Sequence, residues 1–270
     1  APIPDSITAW DGHVIVKERS DMDFSAPGLY DIAENTIYLI DVNGDGVTEE
    51  VSISNTTFTH MVEWPDGTTF ESTSQGELYV TVNGKDGESL VSPQYAEDAH
   101  FLRRENGAVA LIFIGRENDY SDLFIFAFRD TAPVLMEYRS FLRFTSLTPS
   151  SLTLEGRYFF FGNMGVTIDC VLNEDFSLTL ANDGFFEVTR FIVDYLITKL
   201  PLDAELKTGG EYRDATLPVG SKIRPTFVSE TGCMIFETSD GRTGRLFTDG
   251  RTINGVSEYD MFENVKYVGV

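Results

Sequence analysis

The chain has 270 residues, of which 20 are basic and 43 acidic, giving a formal charge of −23. That balance repels phosphate backbones and anionic lipid surfaces, so neither nucleic acid nor a membrane is an expected partner. A chain this long buries about 70–75% of its unfolded surface without disulfide staples, and Cys170 and Cys233 are expected to be unbonded and in separate domains.

The first residues read APIPDS with no initiator Met, as in a processed chain, and a removed signal peptide or lipoprotein anchor is the expectation. From Gly12 onward, short apolar segments alternate with turn clusters: HVIVKE, TIYLI, EVSIS, TFTHMVEW, ELYVTV, AVALIFIG, DLFIFAF, PVLMEYRSFL, SLTLEG, RYFFF, GVTIDCVL and SLTL. The pattern predicts about a dozen strands. Hairpin turns are expected at Pro65-Asp66-Gly67, across Val82 to Gly87 and around Asn163. The fold class is therefore all-β, and without long helices to cross over, the architecture is a sandwich, a barrel or a propeller.

The segment YLIDVNGDGVTEEVSIS crowds carboxylates into a turn between two apolar strands. Such repulsion is offset best by a cation. Counting from Asp41, side-chain oxygens of Asp41, Asn43 and Asp45 occupy positions one, three and five, the carbonyl of Val47 position seven and Glu49 position nine. Gly44 and Gly46 permit a tight, partly left-handed wrap, and the all-oxygen set suits calcium. An EF-hand does not fit, because Ser52 stands at position twelve and strands flank the loop.

These residues resemble the calcium-binding unit of FG-GAP or VCBS repeats, the blade motif of integrin-like β-propellers. The resemblance implies calcium bound through positions one, three, five, seven and nine, in an extracellular protein. Position nine is usually Asp in that family and is Glu49 here, which leaves Glu50 as a rival ligand, and the FG and GAP residues are missing. A blurred echo, LIFIG-RENDYSD-LFIFAF, keeps acids at Asp119 and Asp122. A small irregular propeller-like domain of antiparallel hairpins is the expectation.

Further along, FFEVTRFIVDYLITKLPLDAELK partly fits a helical stripe, but Val188, Val193, Ile197 and Thr198 favour strand, and it is read as strand. Lys207 to Gly220 reads as a linker, which predicts domains over residues 1–212 and 213–270. From Leu217 the chain resembles the bacterial Src-homology-3-like (SH3-like) domain, in Leu217-Pro218-Val219-Gly220, the strand CMIFET and the turn from Ser239 to Gly244. The family's ligand-groove tryptophans are replaced by residues near Met234 and at Arg245 or Leu246. A small structural barrel is as good a reading as a peptide binder.

Three histidines, His13, His60 and His100, lie in no nucleophile, metal or acid–base motif, and G-x-S-x-G, H-E-x-x-H and C-x-x-C are absent. Trp10 and Trp64 are assigned to packing. The resulting reading is a non-enzymatic binding or scaffold protein, extracellular or attached to the surface of a bacterial cell. Its expected partner is an extracellular protein, a cell-wall component or a glycan. The alternative is a carbohydrate-active propeller, a lectin or a glycoside hydrolase, which would show a concave pocket with exposed Trp or Tyr beside paired acids.

Overall fold

The structure, a computed structural model, describes residues 6–8, 14–16, 18–63, 69–90, 95–117, 120–159, 162–249 and 252–265. Strand takes up well over half of them, and the only α-helix among them is one turn, α1 (Glu258–Met261). The chain divides into two units. Ala1–Arg143 form the first with two short later segments, Thr148–Ser150 and Leu172–Ser177; Phe144–Leu147, Ser151–Val171 and Leu178–Val270 form the second.

The first unit holds β1 (Ser6–Thr8), β2 (Val14–Val16), β3 (Glu18–Arg19), β4 (Gly28–Ile32), β5 (Thr36–Ile40), β6 (Glu49–Glu63), β7 (Thr69–Val82), β8 (Lys85–Leu90), β9 (Tyr95–Arg103), β10 (Val109–Glu117), β11 (Tyr120–Arg129) and β12 (Ala132–Arg139). Two five-stranded sheets form, in the orders β3-β5-β6-β7-β8 and β12-β11-β10-β9-β4. All pairings are antiparallel except the short one between β3 and β5. The period of two turns Tyr38, Ile40, Val51, Ile53, Leu78 and Val80 of one sheet, and Phe101, Leu111, Phe113, Phe124 and Phe126 of the other, into one shared core. Phe113 stacks on Phe124 and Phe126 with ring centres 5.2 and 6.1 Å apart. On the opposite face of β10, Ala110, Ile112 and Ile114 are buried too. Burial on both faces explains why AVALIFIG is a continuous apolar run and not an alternating one.

The second unit continues with β13 (Leu142–Leu147), whose first two residues belong to the first unit, β14 (Ser151–Tyr158), β15 (Met164–Leu172), β16 (Leu178–Leu180), β17 (Phe185–Phe191), β18 (Leu196–Ile197), β19 (Leu202–Thr208), β20 (Glu211–Leu217), β21 (Lys222–Ser229), β22 (Cys233–Thr238), β23 (Thr243–Phe247), β24 (Thr252–Ile253) and β25 (Val256–Ser257). Its main sheet runs β13-β14-β15-β17-β21-β22-β23-β19-β20, with β16 on β15 and β18 on β21. The ambiguous segment 185–207 holds no helix and forms three strands, β17, β18 and the start of β19, with residues 192–195, Val193 among them, and 199–201 outside them. The expected turns at Asn83-Gly84 and between β14 and β15 are hairpin connections. The one at Pro65-Asp66-Gly67 lies outside the described residues, as do Trp10, Trp64, His13 and Asp119.

Among the described residues neither a propeller nor a closed barrel is evident. Hairpins in sequence satisfy local pairing in a sandwich as well as in blades, and here the two echoing hairpins, β5–β6 and β10–β11, sit in the two sheets that share one core. The segment read as a linker is paired strand. β19 and β20 match from Leu202↔Leu217 to Thr208↔Glu211, so the expected boundary at 212/213 falls inside β20, and Gly209-Gly210 are the hairpin's turn. Cys170 and Cys233 are both free and buried, and burial pushes the Cys233 thiol pKa up.

Candidate metal centre

The pair Ile40↔Glu49 closes the β5–β6 hairpin and leaves residues 41–48 as the loop. Directly opposed residues share a face, so Glu49 stands in the same row as Ile40, Val51 and Ile53 at the rim of the core. It is only 4% exposed. A carboxylate there needs a hydrogen-bond donor, and Oε2 accepts the Val42 N–H at 3.1 Å. Val42 itself is in the shared core, which anchors the start of the loop. Glu50 faces the other way. It pairs with Arg19, and its N–H donates to the Asn83 side-chain oxygen at 3.0 Å.

The rest of the loop wraps its own amides around its acids. Asp41 accepts Gly44 N–H at 2.7 Å on Oδ1 and Gly46 N–H at 3.0 Å on Oδ2. Asn43 Oδ1 accepts Asp45 N–H at 3.0 Å, and Asp45 Oδ1 accepts Val47 N–H at 2.7 Å. Gly44 and Gly46 adopt φ of 78° and 85°, the left-handed backbone that brings these amides inward. From the other sheet, Arg103 Nη1 donates to the Asp41 carbonyl at 2.8 Å. Amides and one guanidinium thus offset part of the acidic repulsion without a metal.

Asp41, Asn43 and Asp45 therefore lie in one loop that Glu49 borders, with Asn43, Asp45 and Val47 exposed. Among the described residues no group of three His, Cys, Asp or Glu side chains is gathered tightly enough to hold a metal ion. In this loop Glu49 Oε2 is engaged by the Val42 N–H. The donor chemistry still fits a hard cation: every candidate ligand is an oxygen, and a carboxylate has about four acceptor sites, of which the loop amides take one or two. Arg19, Arg103 and Asn83, which tie the loop and its flanks in place, come from distant parts of the chain, and no local motif signals them.

His100 Nδ1 lies 2.8 Å from Asp31 Oδ1 across the β4–β9 pair. The family models, the curated proteins and the solved structures yield no match to this chain.

Proposed function

We propose that this is an extracellular or cell-surface binding or scaffold protein, non-enzymatic, whose first unit is stabilised by calcium held in the loop from Asp41 to Glu49. One observation carries the reading: an oxygen-only ligand series on a strand–loop–strand hairpin, wrapped by two left-handed glycines and rooted in the core through Val42 and Glu49. Asp41, Asn43, Asp45, the Val47 carbonyl and Glu49 would hold the ion, with Glu49 released from Val42 N–H. Calcium supplies charge neutralisation there, and in extracellular modules its Kd is on the order of 10⁻⁴ to 10⁻³ M. Cytosolic calcium is too low to fill such a site, which is the argument for an extracellular home.

The likeness to FG-GAP units supports the loop assignment and is proposed for the loop alone. For the second unit we propose an SH3-like module built from β21, β22 and β23, since these strands fall where the resemblance puts them. Met234 and Leu246 are buried there, so the family's aromatic groove has no counterpart at those positions. Isothermal titration with calcium chloride tests the reading. A one-site isotherm in the range above, weaker for magnesium and lost in Asp45→Ala, supports it; no binding by the wild-type chain overturns it.

A further inference from the structure

In the second unit, β19 and β23 pair only at Glu205↔Arg245 and Leu206↔Gly244. Beyond Glu205 the strands part, and a cleft of about 580 Å³ opens there, lined among others by Asp203, Glu205, Asp214, Thr216, Phe247 and Asn254. Its volume lies within the ~300–1,000 Å³ of ordinary small-ligand sites. Asp214 stands directly opposite Glu205, and Thr216 opposite Asp203, so both acidic pairs of positions share the face that carries Arg245.

Arg245 shows what this wall attracts. Its guanidinium bonds Glu205 and lies 4.4 Å from the centre of the Tyr212 ring and 5.5 Å from that of Phe247. A guanidinium between two rings with a carboxylate at its edge is a satisfied cation–π arrangement. Of the acids that line the cleft, Glu205 is engaged by Arg245 and the other two are not. Asp203 has only the Thr216 hydroxyl, at 2.8 Å, and Asp214 has no hydrogen-bond or ion-pair partner among the described residues. None of the described residues lining the cleft is basic. Phe247 is 54% exposed, an uncommon position for a ring of that size.

We infer that the cleft binds the cationic side chain of a basic peptide, an arginine or lysine whose charge lies against Asp203 and Asp214 and whose stem covers Phe247. A second copy of the chain is a poor occupant, because a charge of −23 repels its like. A neutral sugar leaves both carboxylates uncompensated.

The probes are N-acetylarginine amide and N-acetyllysine amide, with N-acetylglutamine amide as the neutral control, titrated into ¹⁵N-labelled protein. Saturable shifts confined to amides of 203–205, 214–216, 246–247 and 254 are expected for the two cations, with Kd on the order of millimolar for a single side chain. Asp214→Asn and Phe247→Ser, both at exposed positions, should each weaken binding severalfold while the rest of the spectrum is unchanged. Shifts that spread over the acidic surface without saturating, equal binding of the neutral amide, or undiminished binding by the Phe247→Ser protein each overturn the inference.

Discussion

Glu49 accepts the Val42 N–H at 3.1 Å, whereas its neighbour Glu50 points to the opposite face and pairs with Arg19. Of the two adjacent acids, Glu49 is bonded to the loop and Glu50 to β3, and the spacing of the sequence does not distinguish them. Calcium at ten times its Kd should stabilise the chain by about 1.4 kcal/mol, from RT ln(1 + [L]/Kd), and raise its melting temperature. In thermal melts with and without millimolar calcium, Asp45→Ala and Glu49→Gln should lose most of the shift. Glu50→Ala should keep it. If Glu50→Ala abolishes the calcium response and Glu49→Gln does not, the ligand assignment is reversed.

At the β12–β13 turn, Phe141 sits at φ 61°, a left-handed conformation that is unfavourable for a bulky residue by roughly 1–2 kcal/mol. Asp122 holds it there: Oδ1 accepts the Phe141 N–H at 2.9 Å and Oδ2 the Tyr138 hydroxyl at 3.0 Å. The Phe141 ring meets Tyr120 edge-on at 5.2 Å. Asp122→Ala removes both acceptors and should lower stability in urea titrations by about 1–3 kcal/mol. Phe141→Gly relieves the backbone while losing the ring contact, worth ~0.5–1.5 kcal/mol, so a net change under about 1 kcal/mol is expected. A large loss in Phe141→Gly would mean that the ring, and not the Asp122 bond, holds the turn.

Asp122 also shows how far the residues alone carried the fold. It was legible as part of an acidic echo of the metal loop, because periodicity and turn residues are local signals, and by the same route CMIFET coincides with β22. Its contacts with Tyr138 and Phe141 were not legible, since they depend on pairing beyond the hairpin. The strand β9, YAEDAHFLR, escaped notice because Glu97, Asp98 and Ala99 blur its alternation. It nonetheless lies inside a sheet between β10 and β4, with Phe101 and Leu102 buried on its two faces. Which hairpins share a core depends on contacts between sheets, and strand spacing carries no such information. In the loop, the run of oxygen-bearing side chains was readable and the bond between Val42 and Glu49 was not.

Glu34 accepts the Ala96 N–H from the β4–β5 turn, and burial raises its pKa above the usual carboxylate value, against the lowering effect of that bond. A raised carboxyl pKa means that the folded chain holds the proton more tightly than the unfolded one. The group's favourable contribution is therefore present below the unfolded pKa and is lost as pH rises through the folded value. Glu34→Gln keeps a carbonyl acceptor for Ala96 and removes the buried charge. Its melting temperature should exceed that of the parent at pH 7, and the two should draw together as pH falls below the raised pKa. A Glu34→Gln protein that is less stable at pH 7 would show that the charge itself is held by a favourable partner.

Gly244 in β23 lies opposite Phe236 of β22 on one side and Leu206 of β19 on the other. A Cβ at this position would come 2.6 Å from Phe236 Cε2 and 2.9 Å from Leu206 Cδ2. Both distances are shorter than real Cβ contacts allow. Phe236 is fully buried and so has little room to withdraw. Gly244→Ala should therefore destabilise the second unit by about 1–3 kcal/mol, the usual effect of overpacking. Backbone conformation is not the cause, since Gly244 is not among the left-handed glycines. If the clash with the Phe236 ring is the cause, Phe236→Leu, destabilising by itself, should cost less in the Gly244→Ala background, giving a coupling of roughly 0.5–3 kcal/mol in a double-mutant cycle. Additive effects in urea titrations would place the strain on Leu206 or on the β19–β23 pairing instead.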